Sequence, residues 1–288
     1  MTACYLCGST SHRQRSGQVR DCSTLHVLEC VDCGLVFLSS SDHIRPGHYE
    51  DSGMHNDGPP PVEEWLRDSE PDDERRYQFL RPALSGKRLL DFGCGAGGFL
   101  LKSRGQAAYV GGVEPELRLQ AHFERVGLPV VPKLAELPDR PPNSRYDLIT
   151  AFHVVEHLVD PRATVVQLAD VLCEGGVLVV EVPSADDSLL TLYECESFMQ
   201  FTYWSQHLFL FNPCTLSCLV DQANLKLHWI KQVQRYPLSN HLHWLACGRP
   251  GGHKDWSFID SLPLTEAYTA QLAALGRCDT ILAGITRK

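Results

Sequence analysis

Leu89-Leu90-Asp91-Phe92-Gly93-Cys94-Gly95-Ala96-Gly97-Gly98-Phe99-Leu100 decides the fold. Apolar residues and an acid run into a turn with glycine at alternate positions, and an apolar pair resumes beyond it. That pattern is a buried strand, a tight loop and the start of a helix, the unit from which parallel α/β sheets are wound. Gly93, Gly95 and Gly97 carry no Cβ, so backbone can approach a ligand closely and the helix N–H groups can face it. The loop is a cofactor cradle, and the question it poses is which cofactor.

Gly93, Gly95 and Gly98 also satisfy G-x-G-x-x-G, the spacing of a dinucleotide loop. Asp91 separates the two readings. A dinucleotide brings a pyrophosphate to this turn, and a fixed carboxylate two positions before the first glycine would repel it. S-adenosylmethionine has no phosphate and carries an ammonium and a sulfonium, which an acidic loop suits. The stretch from Leu89 to Gly97 resembles the first motif of class I S-adenosylmethionine-dependent methyltransferases.

Further segments extend the resemblance over about residues 86 to 234. Tyr109-Val110-Gly111-Gly112-Val113 ends in Glu114, 23 residues after Asp91, where an acid can accept both ribose hydroxyls of either cofactor. Lys133 to Leu137 matches the adenine-contacting stretch imperfectly, with Glu136 or backbone around Ala135 as the contact. Tyr146 to Leu158 resembles the fourth-strand motif that leads to a Glu-His pair, and Leu172 to Leu178 resembles the glycine turn before strand five. The resemblance implies cofactor contacts at Asp91, Phe92, Gly93, Gly95, Gly97, Glu114, Glu136 and Phe152. It also implies a Rossmann-like sheet, parallel except for one antiparallel C-terminal strand, for which Asp279 to Ala283 is the candidate.

Methyl transfer from a sulfonium is an in-line displacement, so a base is needed only where the acceptor carries a proton. His153, Glu156 and His157 follow the fourth strand, at the carboxyl edge where open α/β sheets bind ligands. His157 suits a general base with Glu156 orienting it; the alternative is a pair that fixes the loop through backbone hydrogen bonds. In similar sugar C-methyltransferases with an N-terminal zinc domain, a Glu-His pair at this point is implicated in catalysis. His153 and His157 could share a metal on a helix, but no third ligand is evident and H-E-x-x-H is absent. Phe198 to Phe211 is aromatic-rich, and its polar members Tyr203 and His207 are candidates for an acceptor pocket; core packing is the competing reading. Arg235 to His253 reads as a loop that caps the acceptor or as solvated surface.

Cys4-x-x-Cys7-Gly8 and Cys30-x-x-Cys33-Gly34 repeat one device across 22 intervening residues. Four thiolates so spaced suit a closed, structural Zn²⁺, one per chain. The Leu35-Val36-Phe37-Leu38 strand completes a zinc ribbon of about 40 residues, a size at which the metal supplies folding energy. Cys22, His12 and His26 lack the paired spacing, and the remaining seven of the twelve cysteines are scattered.

The expected division is a ribbon over 1–40, a Ser/Asp/Gly/Pro-rich linker or cover over 41–72, and the cofactor-binding domain over 73–288. Acceptor-cap insertions are expected at about 184–212 and 235–270, and the first helix of the domain at about Asp73. The chain has 43% hydrophobic and 21% charged residues, as soluble globular proteins do. With net charge −9 and no basic run, a small-molecule acceptor is expected and nucleic acid is not. No apolar run approaches the roughly 20 residues of a membrane span, and Met1 to Cys7 lacks the form of a signal peptide, so a cytoplasmic location is the default. Two competing functions are weighed: a non-catalytic cofactor-binding interaction protein, against which the intact glycine loop with two acids argues, and an NAD-dependent oxidoreductase or epimerase, which lacks a Tyr-x-x-x-Lys pair.

Overall fold

A computed structural model describes residues 3–51, 60–137 and 145–288. Three short strands open the chain: β1 (His12–Gln14), β2 (Val27–Cys30) and β3 (Val36–Leu38). Positions 52–59 of the expected cover lie outside the described residues. Helix α1 (Val62–Leu84) then occupies the remainder of that segment. Its onset is eleven residues earlier than the expected Asp73, and Pro71 is the reason for the difference. Proline removes an intrahelical N–H and ordinarily ends a helix. Here Pro71 is carried inside one, because Val62, Trp65 and Tyr77 pack with buried Leu80 and Leu84 onto the sheet. Glu63 and Glu64 in the first turn and Arg81 in the last match the helix dipole.

Strands and helices then alternate: β4 (Arg88–Phe92), α2 (Gly98–Ser103), β5 (Tyr109–Val113), α3 (Gln120–Val126), β6 (Val130–Val131), β7 (Tyr146–Phe152), α4 (Pro161–Asp170) and β8 (Leu172–Pro183). Single 3₁₀ turns precede α3 at Leu117–Leu119 and follow β7 at Val155–His157. β8 begins at Leu172, within the stretch that resembles the glycine turn before strand five, because Gly175 at φ 72° lets a register shift pass within the strand instead of ending it. Beyond it come α5 (Ser188–Thr191), α6 (Glu196–Thr202), β9 (Phe209–Leu210), α7 (Pro213–Gln222) and β10 (Leu225–Val233). Asn212 and Thr215 form a reciprocal capping box at the start of α7.

The expected loop from Arg235 onward is helical instead: α8 (Leu238–Cys247), α9 (Gly252–Asp255) and α10 (Leu262–Leu275), before β11 (Thr280–Arg287). Ser261 caps α10 at its start and Gly276 ends it in the left-handed region, signals that the His- and Trp-rich composition obscured. Among the described residues no helix is long and apolar enough to cross a membrane.

The main sheet has seven strands in the order β10-β11-β8-β7-β4-β5-β6. Only β11 runs antiparallel to its neighbours, with Ile281 opposite Val182 and Gln232, as the resemblance required. Chain order reverses between β4 and β7, and the crevice at their carboxyl ends is where such sheets bind ligands. The smaller sheet is antiparallel, β1-β2-β3-β9. Its fourth strand comes from the far side of the main sheet's sequence, with Val36 opposite Leu210 and Phe37 opposite Phe209. Apolar residues of both sheets, from Leu6, Val27 and Phe37 to Val180, Phe211 and Ile281, form one continuous buried cluster. The N-terminal sheet is thus built into the body of the protein.

Candidate active site

A cavity of about 340 Å³ opens at the carboxyl ends of β4, β5 and β7. Its floor is the glycine turn. Gly93 sits at φ 74°, a conformation side chains rarely adopt, and a Cβ there would overlap Val154. A Cβ on Gly95 would come within 3.2 Å of Trp65, so the turn and α1 face each other across a gap that only glycine leaves open.

Two acids line this floor. Asp91 is 3% exposed and accepts from Thr150 Oγ1 at 2.6 Å. Burial pushes its carboxyl up to about 7, against the opposing Thr150 hydrogen bond. Glu114 accepts from the Gly95 N–H at 2.8 Å and from the Glu116 N–H at 3.0 Å, and burial raises it as well. Burial disfavours the charge on both acids, which a cation in the cavity would favour. Phe92 and Phe152 line the same space. Tyr49, Trp65, Asp73 and Arg76 close it from the cover segment and α1. Arg76 lies over the Phe152 ring at 4.6 Å and donates to Glu181 at 2.7 Å. Nothing in the spacing of α1 distinguished these roof residues from an ordinary amphipathic face.

The opposite wall carries the histidines. His153 holds φ 54°, uncommon outside glycine, at the end of β7. Its Nδ1 lies 3.1 Å from Glu156 Oε1 and its Nε2 3.3 Å from Glu181 Oε1. Burial opposes its protonation, but these two carboxylates outweigh burial and raise it. Arg75 joins Arg76 on Glu181, and Arg235 pairs with Asp72 of α1, so the roof is fastened to the sheet through buried charge. Glu156 is fully buried; the His153 hydrogen bond and the His157 ring overcome burial and hold it below its ordinary range. Its Oε2 has no hydrogen-bond partner among the described residues.

His157 donates from Nδ1 to the Gln206 carbonyl at 2.8 Å, which leaves Nε2 as the acceptor nitrogen. That nitrogen is 3.9 Å from Glu156 Oε1, so a proton gained there meets a carboxylate. Burial lowers His157, keeping the resting ring neutral. His157 and His153 line the cavity, and Glu156 stands directly behind them.

The other expected residues lie elsewhere. His207 stacks 5.0 Å from His157 and donates to Thr202 O; burial takes it down to about 3, and it lies outside the cavity. Tyr203 is buried against the N-terminal sheet, beside Gly17 and Arg15. Gly97 forms the left-handed cap of α2 beneath the floor, and Glu136 is exposed in a turn away from the cavity. No residue of 184–212 or 235–270 lines the cavity. Tyr203 and Leu208 to Phe211 of the aromatic run instead pack into the seam between the two sheets, while Phe198 and Phe201 lie against Trp244 of α8. The cluster of possible ligands at this wall omits His153: Glu156, His157 and His207 bring one ligand atom each within 4.8 Å.

Cys4, Cys7, Cys30 and Cys33 converge, with every Sγ within 4.8 Å of the others. Cys4–Cys33 and Cys7–Cys30 are 3.5 and 3.4 Å apart. Four sulfurs about 2.3 Å from a central Zn²⁺ would stand about 3.8 Å from one another, so the cluster has the dimensions of a tetrahedral site.

A family model for a methyltransferase domain matches residues 65–229. A ubiquinone biosynthesis O-methyltransferase of Bradyrhizobium sp. (strain ORS 278) is 35% identical over 111 residues, 37% of this chain and 44% of that relative. The match therefore spans less than half of the relative's length. A methyltransferase of Haloferax volcanii, solved in complex with the Trm112 methyltransferase activator, is similar in fold at TM-score 0.51 and 14% identity, covering 80% of this chain and 98% of that one. An S-adenosylmethionine-dependent methyltransferase of Thermotoga maritima is similar at TM-score 0.50 and 17% identity, covering 78% and 94%.

Proposed function

The chain belongs to the methyltransferase-domain family, and from that premise we propose that it transfers a methyl group from S-adenosylmethionine to a small-molecule acceptor, with His157 as general base. The observation that carries the reading is the acidic, phosphate-averse floor: two buried carboxylates, Asp91 and Glu114, flank a turn whose glycines leave room for a ligand. A pyrophosphate would meet like charge there. Bound in this cavity, S-adenosylmethionine supplies an electrophilic methyl on a sulfonium. Asp91 would hold its cationic end, Glu114 would accept the ribose hydroxyls, and Phe92, Phe152 and Trp65 would enclose it.

This chain's own contribution is alignment, dryness and proton handling. Trp65 and Tyr49 shut out water from above. An acceptor hydroxyl, amine or acidic C–H gives its proton to His157 Nε2 as it gains the methyl, and Glu156 stabilises the resulting imidazolium. The acceptor is proposed to lie beside His153 and Tyr49, on the wall opposite the acidic floor, and to be a small molecule such as a sugar nucleotide or an intermediate of secondary or envelope metabolism. The N-terminal cysteines would hold one structural Zn²⁺, closed to substrate. The division into a ribbon over 1–40, a cover over 41–72 and a cofactor domain over 73–288 is proposed with it.

Titration of the purified protein with S-adenosylhomocysteine, S-adenosylmethionine and NAD tests the cofactor. Heat or a thermal shift with the two sulfur compounds is expected, and a response to NAD alone would overturn the reading.

A further inference from the structure

The Gln206 carbonyl that fixes the His157 tautomer belongs to a strap, residues 203–208, which the first 48 residues of the chain hold at nearly every position. The Arg20 N–H donates to Tyr203 O at 2.8 Å, and the Arg20 guanidinium lies 4.5 Å over the Trp204 ring. Asp21 accepts from the Ser205 N–H at 3.0 Å and from Ser205 Oγ at 2.7 Å. His43 Nε2 donates to Ser205 O at 2.6 Å, and His48 Nε2 donates to the Gln206 side chain at 2.8 Å. The Leu38 N–H donates to Leu208 O at 3.0 Å, and pairing of β3 with β9 follows. On its inner side the strap grips one ring: Gln206 O on His157 Nδ1, Trp204 edge-on at 6.1 Å, and His207 at 5.0 Å. Tyr49, from the same N-terminal segment, donates to the His157 carbonyl at 3.0 Å.

A base works only when the correct nitrogen faces the acceptor, and imidazole has two. The Gln206 carbonyl decides which one carries the proton, and Asp21 and His43 clamp the residue immediately before it from both its amide and its carbonyl side. We propose that Asp21 and His43 are positioning residues for His157: through Ser205 and Gln206 they hold the imidazole in the Nδ1–H tautomer, so the loops flanking the N-terminal strands complete the active site. The proposal rests on His157 being the base. Neither residue lines the cavity, so their loss acts on the ring's state and leaves the cofactor floor untouched.

The test compares Asp21→Ala, His43→Ala, the double variant and Asp21→Asn in the full chain, by kinetics on an identified acceptor and by nitrogen-15 chemical shifts of the histidines. Asp21 is exposed on its outer side, so its replacement leaves the core intact. Each alanine variant is expected to lower kcat about tenfold and the double variant about 10²-fold, with affinity for S-adenosylhomocysteine within about twofold. His157 should shift from a single Nδ1–H tautomer to a mixture, and Asp21→Asn, which keeps an acceptor and a donor for Ser205, should restore both readouts. Unchanged kcat and an unchanged tautomer in a double variant that binds S-adenosylhomocysteine would overturn the positioning role. Full activity of His157→Ala would instead overturn the base reading beneath it. Should the double variant lose S-adenosylhomocysteine binding, the single Asp21→Ala variant, which keeps His43 on Ser205 O, carries the tautomer measurement: a mixture supports the proposal and a single tautomer sinks it.

Discussion

Along the cofactor floor, Asp91, Gly93, Gly95 and Glu114 come from two adjacent strands and 24 consecutive positions, whereas the base wall gathers Tyr49, His157 and Gln206 from 158 positions of chain. The floor is held by sheet hydrogen bonds and by a turn whose conformation glycine alone permits. The wall is held by the Tyr49 hydroxyl, which reaches across from the N-terminal segment, and by the Gln206 carbonyl of the 203–208 strap. A site of two such halves should fail in two distinguishable ways: by losing its ligand, or by keeping the ligand and losing its chemistry.

The largest separation is expected from the cysteine cluster. Structural zinc is worth on the order of 10 kcal/mol to a small module, and β9 and the strap depend on the sheet it would support. Cys30→Ser should reduce bound zinc from one equivalent to near zero by metal analysis and abolish turnover. In the fraction that stays folded S-adenosylhomocysteine binding should survive, because no residue of the floor belongs to that sheet. Two equivalents in the native protein, one of them lost with His207→Ala, would place a metal at Glu156, His157 and His207 and remove the base. His157→Ala comes next: kcat should fall about 10²–10⁴-fold with cofactor affinity unchanged, and full turnover would break the assignment. Burial holds this base below its ordinary value, so in the native protein kcat should already be on its plateau at pH 7 and decline only on the acid side of it.

The floor is attacked by Gly93→Ala. A left-handed non-glycine residue and overlap with Val154 together cost roughly 2–5 kcal/mol, which should weaken S-adenosylhomocysteine binding on the order of 10²-fold by calorimetry. Asp91 gives a smaller and graded effect. Burial pushes its carboxyl up to about 7 in the free protein, so below that pH Asp91 is largely neutral and above it largely anionic. Affinity for S-adenosylmethionine should fall as pH drops through about 7, by at most about tenfold per pH unit. Near neutrality binding should release a proton, visible as a dependence of the calorimetric heat on buffer ionisation enthalpy. Affinity that is flat from pH 8 to 6 would remove Asp91 from cation binding.

The same contrast explains what could be read from the sequence. Asp91, the glycine turn, Glu114 and the single antiparallel strand are local patterns, in which neighbours in sequence are neighbours in space, and the strand order followed from them. Tyr49, Trp65 and Arg76 were missed because a roof is defined by what it covers, and their own spacing on α1 and the cover is that of any amphipathic surface. Pro71 hid the first part of α1, since the penalty for a proline inside a helix is legible while the packing that offsets it is not. Tyr203 and His207 were drawn toward the pocket by residue type. Only the pairing of β9 with β3, a contact between positions more than 170 apart, shows that they face the seam between the sheets.

Glu136 should give the smallest effect, and it sharpens the comparison from the side of the floor. The resemblance offered it as an adenine contact on the basis of an imperfect match, and its carboxylate is exposed in the turn Leu134–Glu136 after β6. The buried and half-buried groups facing the cavity from β5 end at Glu116, and no side chain of that turn lines it. An exposed acid contributes to a bound nucleoside only through screened, long-range charge, which is worth little at physiological ionic strength. Glu136→Ala should therefore change S-adenosylhomocysteine affinity by less than about twofold, well inside the roughly tenfold that 1.4 kcal/mol represents. A larger loss, measured by the same calorimetry as Gly93→Ala, would mean that the turn folds over the adenine when ligand binds. The floor would then share with the base wall a dependence on a segment outside the glycine motif.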